Sequence, residues 1–213
     1  MAFVFPKIYP ILDASTIPAE GRAAFLQTLG SSLADAGLTL LEYRNKTGSD
    51  AELLSDATVL RAALPAGRVK LILDDRADLV RQIGFDGAHV DDGDRTPAEA
   101  RALLGPEAIV GTFGGSESMV PGVLALPADY FSIGPIAPTT TKETGKLPIG
   151  VEGVRRLRAE AGPAPRLSAA GGITLDLAPR LLEAGANLLA VSAAIFRTAD
   201  PAAEFRRWQR HLA

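Results

Sequence analysis

Polar side chains follow several short apolar segments of the chain, and their types are those that bind phosphate. Residues 134–142 follow the apolar run 130–133 and contain two prolines, three threonines and a lysine. Proline restricts the backbone, while hydroxyl groups, amides and an ammonium group donate hydrogen bonds to anionic oxygens. A solvated threonine-rich turn has the same composition, so the rest of the chain must decide between these interpretations.

Charged residues and glycines follow other apolar segments at equivalent places. Glu42, Arg44 and Lys46 are spaced two residues apart, so they point to one side if the strand persists. Carboxylates from neighbouring strands can hold Mg²⁺, which also takes phosphate oxygens and water. Taken singly, each group is also explained by a structural role, namely a surface ion pair, a helix cap or a turn. The other groups are Asp74 and Asp75; Asp91, Asp92 and Asp94; Gly171 and Gly172; and Ser192 with Ala193.

Short apolar segments alternate with longer amphipathic ones throughout the chain, which predicts strands alternating with helices. The predicted strands are residues 8–12, 38–44, 69–73, 87–90, 108–112, 130–133, 166–169 and 188–191. The predicted helices are residues 20–36, 50–64, 77–83, one beginning after Thr96, 118–124, 150–161, 175–184 and 201–212.

This rhythm predicts an α/β fold, a (β/α)₈ TIM barrel, as one domain over residues 1–213. Its first strand is expected near residues 8–13 and its last helix near 201–212. An open doubly wound sheet would require a glycine-rich turn after the first strand, and residues 13–16 contain no glycine. In a barrel, catalytic groups gather where the strands end, which is where the polar groups lie.

Composition excludes several classes of function. The net charge of −3 provides no basic field for nucleic acid, and no apolar run is long enough to span a membrane. The absence of cysteine excludes disulfides and thiolate chemistry, and only two histidines are present, of which His89 is interpreted as a core residue. The first residues do not resemble a signal peptide, so a cytoplasmic location is expected.

The chain resembles the thiamine-phosphate synthases, also called thiamine-phosphate pyrophosphorylases, over residues 8–196. The resemblance rests on G-P-I-A-P-T-T-T-K at 134–142, Y-R-N-K at 43–46, D-R-A-D-L at 75–79, F-D-G-A-H-V at 85–90, G-G-I at 171–173 and S-A-A-I-F at 192–196. It implies a (β/α)₈ transferase that joins hydroxymethylpyrimidine diphosphate to hydroxyethylthiazole phosphate. The implied products are thiamine phosphate and diphosphate, the implied cofactor is Mg²⁺, and a homo-oligomer is compatible with the resemblance.

The resemblance also implies roles for individual residues. Arg44, Lys46 and Lys142 are the expected catalytic cations. The expected pyrimidine-diphosphate site comprises Glu42, Tyr43, Arg44, Asn45, Lys46, Asp74 and Lys142. The expected thiazole-phosphate site comprises Thr139, Thr140, Thr141, Gly172, Ser192 and Ala193, and the expected Mg²⁺ ligands are Asp75 and Asp94.

Four departures from the family pattern keep other functions open. Glu42 replaces a usual glutamine, Asp74 an asparagine, residues 91–92 a Gly-Gln pair, and residues 113–115 a segment with serine and often histidine. The alternatives are a weakened or non-catalytic phosphate-binding barrel, a different phosphate-handling isomerase or epimerase, and a thiazole tautomerase. The tautomerase uses a histidine near the position of Gly115, and this chain has none there.

Overall fold

Eight parallel strands close into a barrel in chain order, with the last strand paired to the first. The computed structural model describes residues 3–91, 93, 95–139 and 145–213. The strands are β1 (Ile8–Asp13), β2 (Leu40–Arg44), β3 (Lys70–Asp74), β4 (Gly87–Val90), β5 (Ile109–Gly115), β6 (Tyr130–Ile133), β7 (Leu167–Ala170) and β8 (Leu188–Val191). The predicted (β/α)₈ barrel is confirmed.

Helices cover the outside of the barrel. In the part of the chain that the structure describes they are α1 (Arg22–Asp35), α2 (Asp50–Ala63), α3 (Val80–Ile83), α4 (Pro97–Leu104), α5 (Gly150–Ala161), α6 (Ala178–Glu183), α7 (Ala193–Phe196) and α8 (Pro201–His211). None of these described helices is long and apolar enough to cross a bilayer.

Local sequence signals explain where some of these helices begin. Thr96 caps α4 by accepting a hydrogen bond from the Glu99 amide, while the Glu99 carboxylate accepts one from the Thr96 amide. Pro97 occupies the first helical turn, where backbone amides have no acceptor within the helix. Proline therefore costs no helical hydrogen bond at this position. The helix start predicted after Thr96 is therefore present with the expected chemistry.

The helix predicted over residues 118–124 is wrong. Only a 3₁₀ turn, Val123–Ala125, lies in this connection. Pro121 cannot donate a helical hydrogen bond, and Gly122 has φ +75°, which ends any right-handed helix. The Val120 amide donates instead to the carbonyl of Gly114, so the chain stays at the end of β5.

Two hydrophobic regions flank the strands. The larger lies between strands and helices, and Trp208 of α8 is fully buried in it. The smaller fills the lower barrel interior with inward residues such as Leu40, Ile72 and Leu188. Gly111 leaves space there for the ring of Tyr130, because a Cβ atom at residue 111 would lie 2.0 Å from that ring.

A buried ionic network joins α1, α2 and β2 outside the barrel. Asp56 is 2% exposed and accepts hydrogen bonds from the Arg22 guanidinium at 2.6–3.0 Å and from the Tyr43 hydroxyl at 2.5 Å. These bonds satisfy a carboxylate that would be costly to bury alone. The network therefore fixes the two helices against the strand that supplies Arg44.

We expect Asp56→Ala to lower the free energy of unfolding by about 3 kcal/mol, because it leaves the Arg22 cation and the Tyr43 hydroxyl without their buried acceptor. Asp50→Ala on the same helix is the control, since its pair with Arg76 is exposed and should contribute at most about 1 kcal/mol. Urea denaturation of both variants measures the difference. Equal losses would contradict a stabilising role for the buried network.

Candidate functional site

A pocket of about 610 Å³ opens at the carboxyl ends of the strands. Such a volume is in the range that holds small-molecule ligands. The predicted site residues that line it come from five strand ends and the loops that follow them. They are Glu42, Arg44, Asp74, Thr139, Gly172, Ser192 and Ala193.

Arg44 connects the ends of three neighbouring strands. Its guanidinium pairs with Asp13 at the end of β1, and its Nε lies 3.2 Å from Asp74 Oδ2 at the end of β3. Lys46, just beyond β2, lies 3.5 Å from the same Asp74 oxygen and also pairs with Asp75. Because carboxylates hold both cations in place, the ends of β1 to β3 form an ordered basic and acidic edge of the pocket.

Asp13 is ionised in this arrangement. Burial raises the pKa of Asp13, but hydrogen bonds from the Ser15 hydroxyl and amide, together with the Arg44 guanidinium, outweigh burial and hold the pKa below its usual value. Asp13 therefore carries a full negative charge at neutral pH and keeps the guanidinium of Arg44 oriented.

Asp75, one of the two predicted Mg²⁺ ligands, has an unusual backbone conformation and a buried carboxylate oxygen. Its φ of +67° lies in the left-handed region that non-glycine residues seldom adopt. Its Oδ2 pairs with Lys46, while its Oδ1 is buried without a hydrogen-bond partner among the described residues. A buried carboxylate oxygen of this kind suits an oxygen-binding ion such as Mg²⁺. Asp94, the other predicted ligand, lies outside the described residues.

The loop after β6, which the sequence predicts to bind phosphate, is attached to the end of β7. The amides of Ile136 and Ala137 donate to the Gly171 carbonyl at 3.1 and 3.0 Å. Gly172, at φ +68°, lies under this loop, and a Cβ atom there would be 2.6 Å from the carbonyl oxygens of Ala137 and Pro138. Only glycine allows this close approach. Thr140, Thr141 and Lys142 of the same loop lie outside the described residues.

Ser192 follows β8 and faces the pocket. Its Oγ is buried and makes no hydrogen bond to the described residues. Buried hydroxyl groups are normally paired, so an unpaired one that lines a pocket indicates a ligand. Together with Gly172 and Ala193, it forms an uncharged, hydrogen-bonding part of the pocket lining that Arg44 shares.

A buried chain of polar groups forms the pocket floor. The Tyr9 hydroxyl donates to Glu42 Oε2 at 2.5 Å and lies 2.8 Å from the Tyr130 hydroxyl. The Tyr130 hydroxyl lies 3.1 Å from His89 Nδ1, and the two rings stack with centroids 5.6 Å apart. Glu42 and His89 both line the pocket, so this chain presents polar groups to whatever occupies the floor.

Comparison with known proteins agrees with this arrangement. The family model described as thiamine monophosphate synthase matches residues 8–195. The chain belongs to the thiamine monophosphate synthase family.

Relatives in this family match nearly the whole chain. The thiamine-phosphate synthase of Koribacter versatilis is 39% identical over 188 residues, which are 88% of each chain. That of Agrobacterium fabrum is 36% identical over 197 residues, 91% of this chain and 88% of the relative. The solved thiamine phosphate pyrophosphorylase of Pyrococcus furiosus shares the fold, with a TM-score of 0.78 at 23% identity over 97% of this chain and 95% of that one.

Lys46, which pairs with Asp74 and Asp75, lies outside the pocket lining. Two other residues expected in the pyrimidine site of this family member also lie outside it. Tyr43 alternates with Glu42 and Arg44 along β2, so its side chain points outward to Asp56. The side-chain amide of Asn45 donates to the Tyr43 hydroxyl and to Glu52. Their placement indicates that they support Arg44 and the helix α2 rather than contact a ligand in the pocket.

Pocket residues that the sequence did not single out as site residues also appear. His89, interpreted as a core residue, is buried but lines the pocket, as does Ser132. Phe113 lines it from β5, and Lys146 from the connection to α5. Strand alternation could have indicated the first three. No sequence signal marks Lys146, because its position depends on the path of a loop.

All three tyrosines of the chain are buried in hydrogen-bonded positions, so none should ionise at its usual pH. Burial, and then the negative charge of Glu42, raise the pKa of Tyr9 and of Tyr130, while burial and the hydrogen bond to Asp56 raise the pKa of Tyr43. An alkaline absorbance titration should therefore show no phenolate near pH 10 until the chain unfolds.

The same shifts determine how stability depends on pH. Because the folded-state pKa values of the tyrosines are raised, the protonated hydroxyl groups contribute to the free energy of unfolding. This contribution is fully present below the unfolded tyrosine pKa of about 10 and is lost as pH rises above it. The chain unfolded in urea is the control and should titrate normally. A phenolate signal near pH 10 from a chain with native circular dichroism would contradict the raised pKa of at least one of these buried tyrosines.

Proposed function

We propose that this chain joins hydroxymethylpyrimidine diphosphate to hydroxyethylthiazole phosphate and releases thiamine phosphate and diphosphate. One observation carries the proposal: a single pocket is lined by Arg44 of β2 and by Gly172 and Ser192, which follow β7 and β8. Membership of the thiamine monophosphate synthase family supports the same reaction. A cationic edge and a separate hydrogen-bonding edge suit two phosphorylated substrates in contact with each other.

The reaction requires no nucleophile from the protein. The thiazole nitrogen provides its lone pair to the pyrimidine methylene carbon, and the C–N bond forms as the C–O bond to diphosphate breaks. The electron pair of the broken bond leaves with the diphosphate, so no proton has to be removed. Catalysis then consists of holding the two reactants together and stabilising the departing negative charge.

The described residues divide between the two substrates. Arg44 and Lys46, on the β2 side, bind the diphosphate, and Glu42 on the floor faces the pyrimidine. Ser192 Oγ and the amides near Gly172 and Ala193, at the ends of β7 and β8, bind the thiazole phosphate. The family resemblance adds Lys142 to the diphosphate site and Thr139, Thr140 and Thr141 to the thiazole-phosphate site.

Mg²⁺ is part of the proposal. The unpaired Oδ1 of Asp75 supports it, and the resemblance provides Asp94 as a second ligand. Bound there, Mg²⁺ would reduce the negative charge on the diphosphate. This role suits Asp75, because Mg²⁺ commonly uses one or two carboxylates together with phosphate oxygens and water. A cytoplasmic location and a homo-oligomer stay predictions.

The direct test is incubation with both substrates and Mg²⁺, followed by measurement of thiamine phosphate and released diphosphate. Equal amounts of the two products are expected. Binding of both substrates without product would favour the non-catalytic barrel instead, an alternative that the additional carboxylates Glu42 and Asp74 keep open. No binding of either substrate would contradict the proposed function. Omission of Mg²⁺ should abolish most of the turnover.

We expect Arg44→Gln to lower kcat/KM by about 10²-fold, the scale of one preorganised electrostatic donor. It removes a cation and leaves the carboxylates of Asp13 and Asp74 without their guanidinium. KM for the pyrimidine diphosphate should rise more than KM for the thiazole phosphate. Steady-state kinetics with each substrate varied in turn measures both.

Arg207→Gln is the control for that variant. It removes the same charge from an exposed pair with Glu204 on α8, outside the pocket lining, and should leave kcat/KM unchanged. If the Arg44→Gln protein is folded and as active as the control, Arg44 does not bind the diphosphate.

A further inference from the structure

Glu42 lies where the pyrimidine ring of the proposed substrate must sit. Glu42 and Arg44 are two residues apart on β2 and both line the pocket, with Arg44 at the end of the strand and Glu42 deeper in the barrel. Two residues of a strand span about 7 Å. The pyrimidine is joined to its diphosphate through one methylene group, so a diphosphate at Arg44 places the ring against Glu42.

The hydrogen bonds around Glu42 use the protons of the pocket floor within the floor itself. The Tyr9 hydroxyl donates to Glu42 Oε2 at 2.5 Å, so the Tyr9 oxygen accepts from the Tyr130 hydroxyl 2.8 Å away. The Tyr130 oxygen then accepts from His89 Nδ1 at 3.1 Å. An ionised carboxylate only accepts hydrogen bonds, whatever other contacts Glu42 makes. Glu42 therefore presents an acceptor to the pyrimidine.

The edge of an aminopyrimidine does not match a group that only accepts. Its exocyclic amine donates hydrogen bonds, but the neighbouring ring nitrogen accepts them. When one carboxylate oxygen accepts from the amine, the other lies against the lone pair of the ring nitrogen. Glu42 is 3% exposed, so little water is available to separate the two acceptors, and such a mismatch is costly when buried. One added proton between them converts the mismatch into a second hydrogen bond.

We propose that the pyrimidine substrate binds to Glu42 together with one proton from solvent, which lies between the carboxylate and the ring nitrogen next to the exocyclic amine. This assignment rests on the proposed function. No covalent bond of the substrate changes in this step. The proton returns to solvent when thiamine phosphate, which carries the same edge, leaves the pocket. Binding of the pyrimidine therefore weakens as pH rises.

Other ionisable groups face the same region from the surrounding strands. Among the described residues they are Tyr9 of β1, Arg44 of β2, Asp74 of β3, His89 and Asp91 from β4 and its end, Tyr130 of β6, and Lys146 after β6. Glu42→Gln leaves all of them in place, and the amide can still accept from Tyr9. Because an amide has both a donor and an acceptor, it pairs with the amine and the ring nitrogen without an added proton.

Calorimetry in buffers of different ionisation enthalpy counts the protons. The pyrimidine diphosphate is titrated with Mg²⁺ near pH 8 into the wild-type protein and into Glu42→Gln. The wild type should take up about one more proton for each ligand bound. The diphosphate and Mg²⁺ are common to both titrations, so the difference belongs to residue 42. Glu152→Gln, the same change at an exposed residue of α5 outside the pocket lining, is the control and should match the wild type.

The pH dependence of affinity gives a second measurement. Between about pH 7.5 and about pH 8.5, binding to the wild type should weaken about tenfold relative to Glu42→Gln, because uptake of one proton corresponds to a factor of ten for each pH unit. Equal proton counts and parallel pH profiles would overturn the inference. The ring nitrogen would then accept from a neutral donor, such as the Ser132 hydroxyl, which also lines the pocket.

Thamine phosphate provides a test that does not depend on ligand binding by the variant. Its phosphate is almost fully ionised near pH 8, so the wild type should take up about one proton on binding it. Absence of this uptake would overturn the inference. If thiamine phosphate is formed without the proton difference, only the inference fails. If the proton difference is present but no product forms, only the proposed function fails.

Discussion

Closure of eight parallel strands determines which side chains can meet in this molecule. Residues two apart on a strand face the same way, and all eight strands end at the same rim. Glu42 and Arg44 therefore point inward, while Tyr43 between them points to the helices. Their partners Asp13 and Asp74 come from the neighbouring strands β1 and β3. The basic edge of the pocket thus follows from barrel register rather than from the loops.

The same alternation places the side chains of the pocket floor, which lie one layer below Arg44 in the barrel. Each tyrosine hydroxyl has one proton, so donation by Tyr9 to Glu42 leaves the Tyr9 oxygen to accept from Tyr130. The Tyr130 oxygen then accepts from His89 Nδ1, which assigns the proton of a neutral imidazole to that nitrogen. This direction of donation ends on the Glu42 carboxylate. A glutamine, usual in the family at this position, would accept from Tyr9 equally well but would add no charge.

Patterns with a fixed period were predictable, and positions that depend on loop paths were not. Alternating apolar segments located the strands, and the capping residues Thr96 and Glu99 located the start of α4. The region 118–124 carried apolar residues at helical spacing, yet Pro121 and Gly122 prevent a helix there. The family resemblance implied a place for Tyr43 in the pyrimidine site, although strand alternation directs its side chain outward. Lys146 was missed because only the folded loop brings it to Phe113.

The balance of charge explains how such a pocket can accept anions. Paired carboxylates hold Arg44 and Lys46 in position before any ligand arrives, but each pair also reduces the positive potential that a phosphate experiences. A diphosphate must therefore compete with Asp13 and Asp74 for the same guanidinium. In the proposed site, a divalent cation at the unpaired Oδ1 of Asp75 would offset this competition. Because two carboxylates already balance its charge, Arg44 mainly determines where the diphosphate lies.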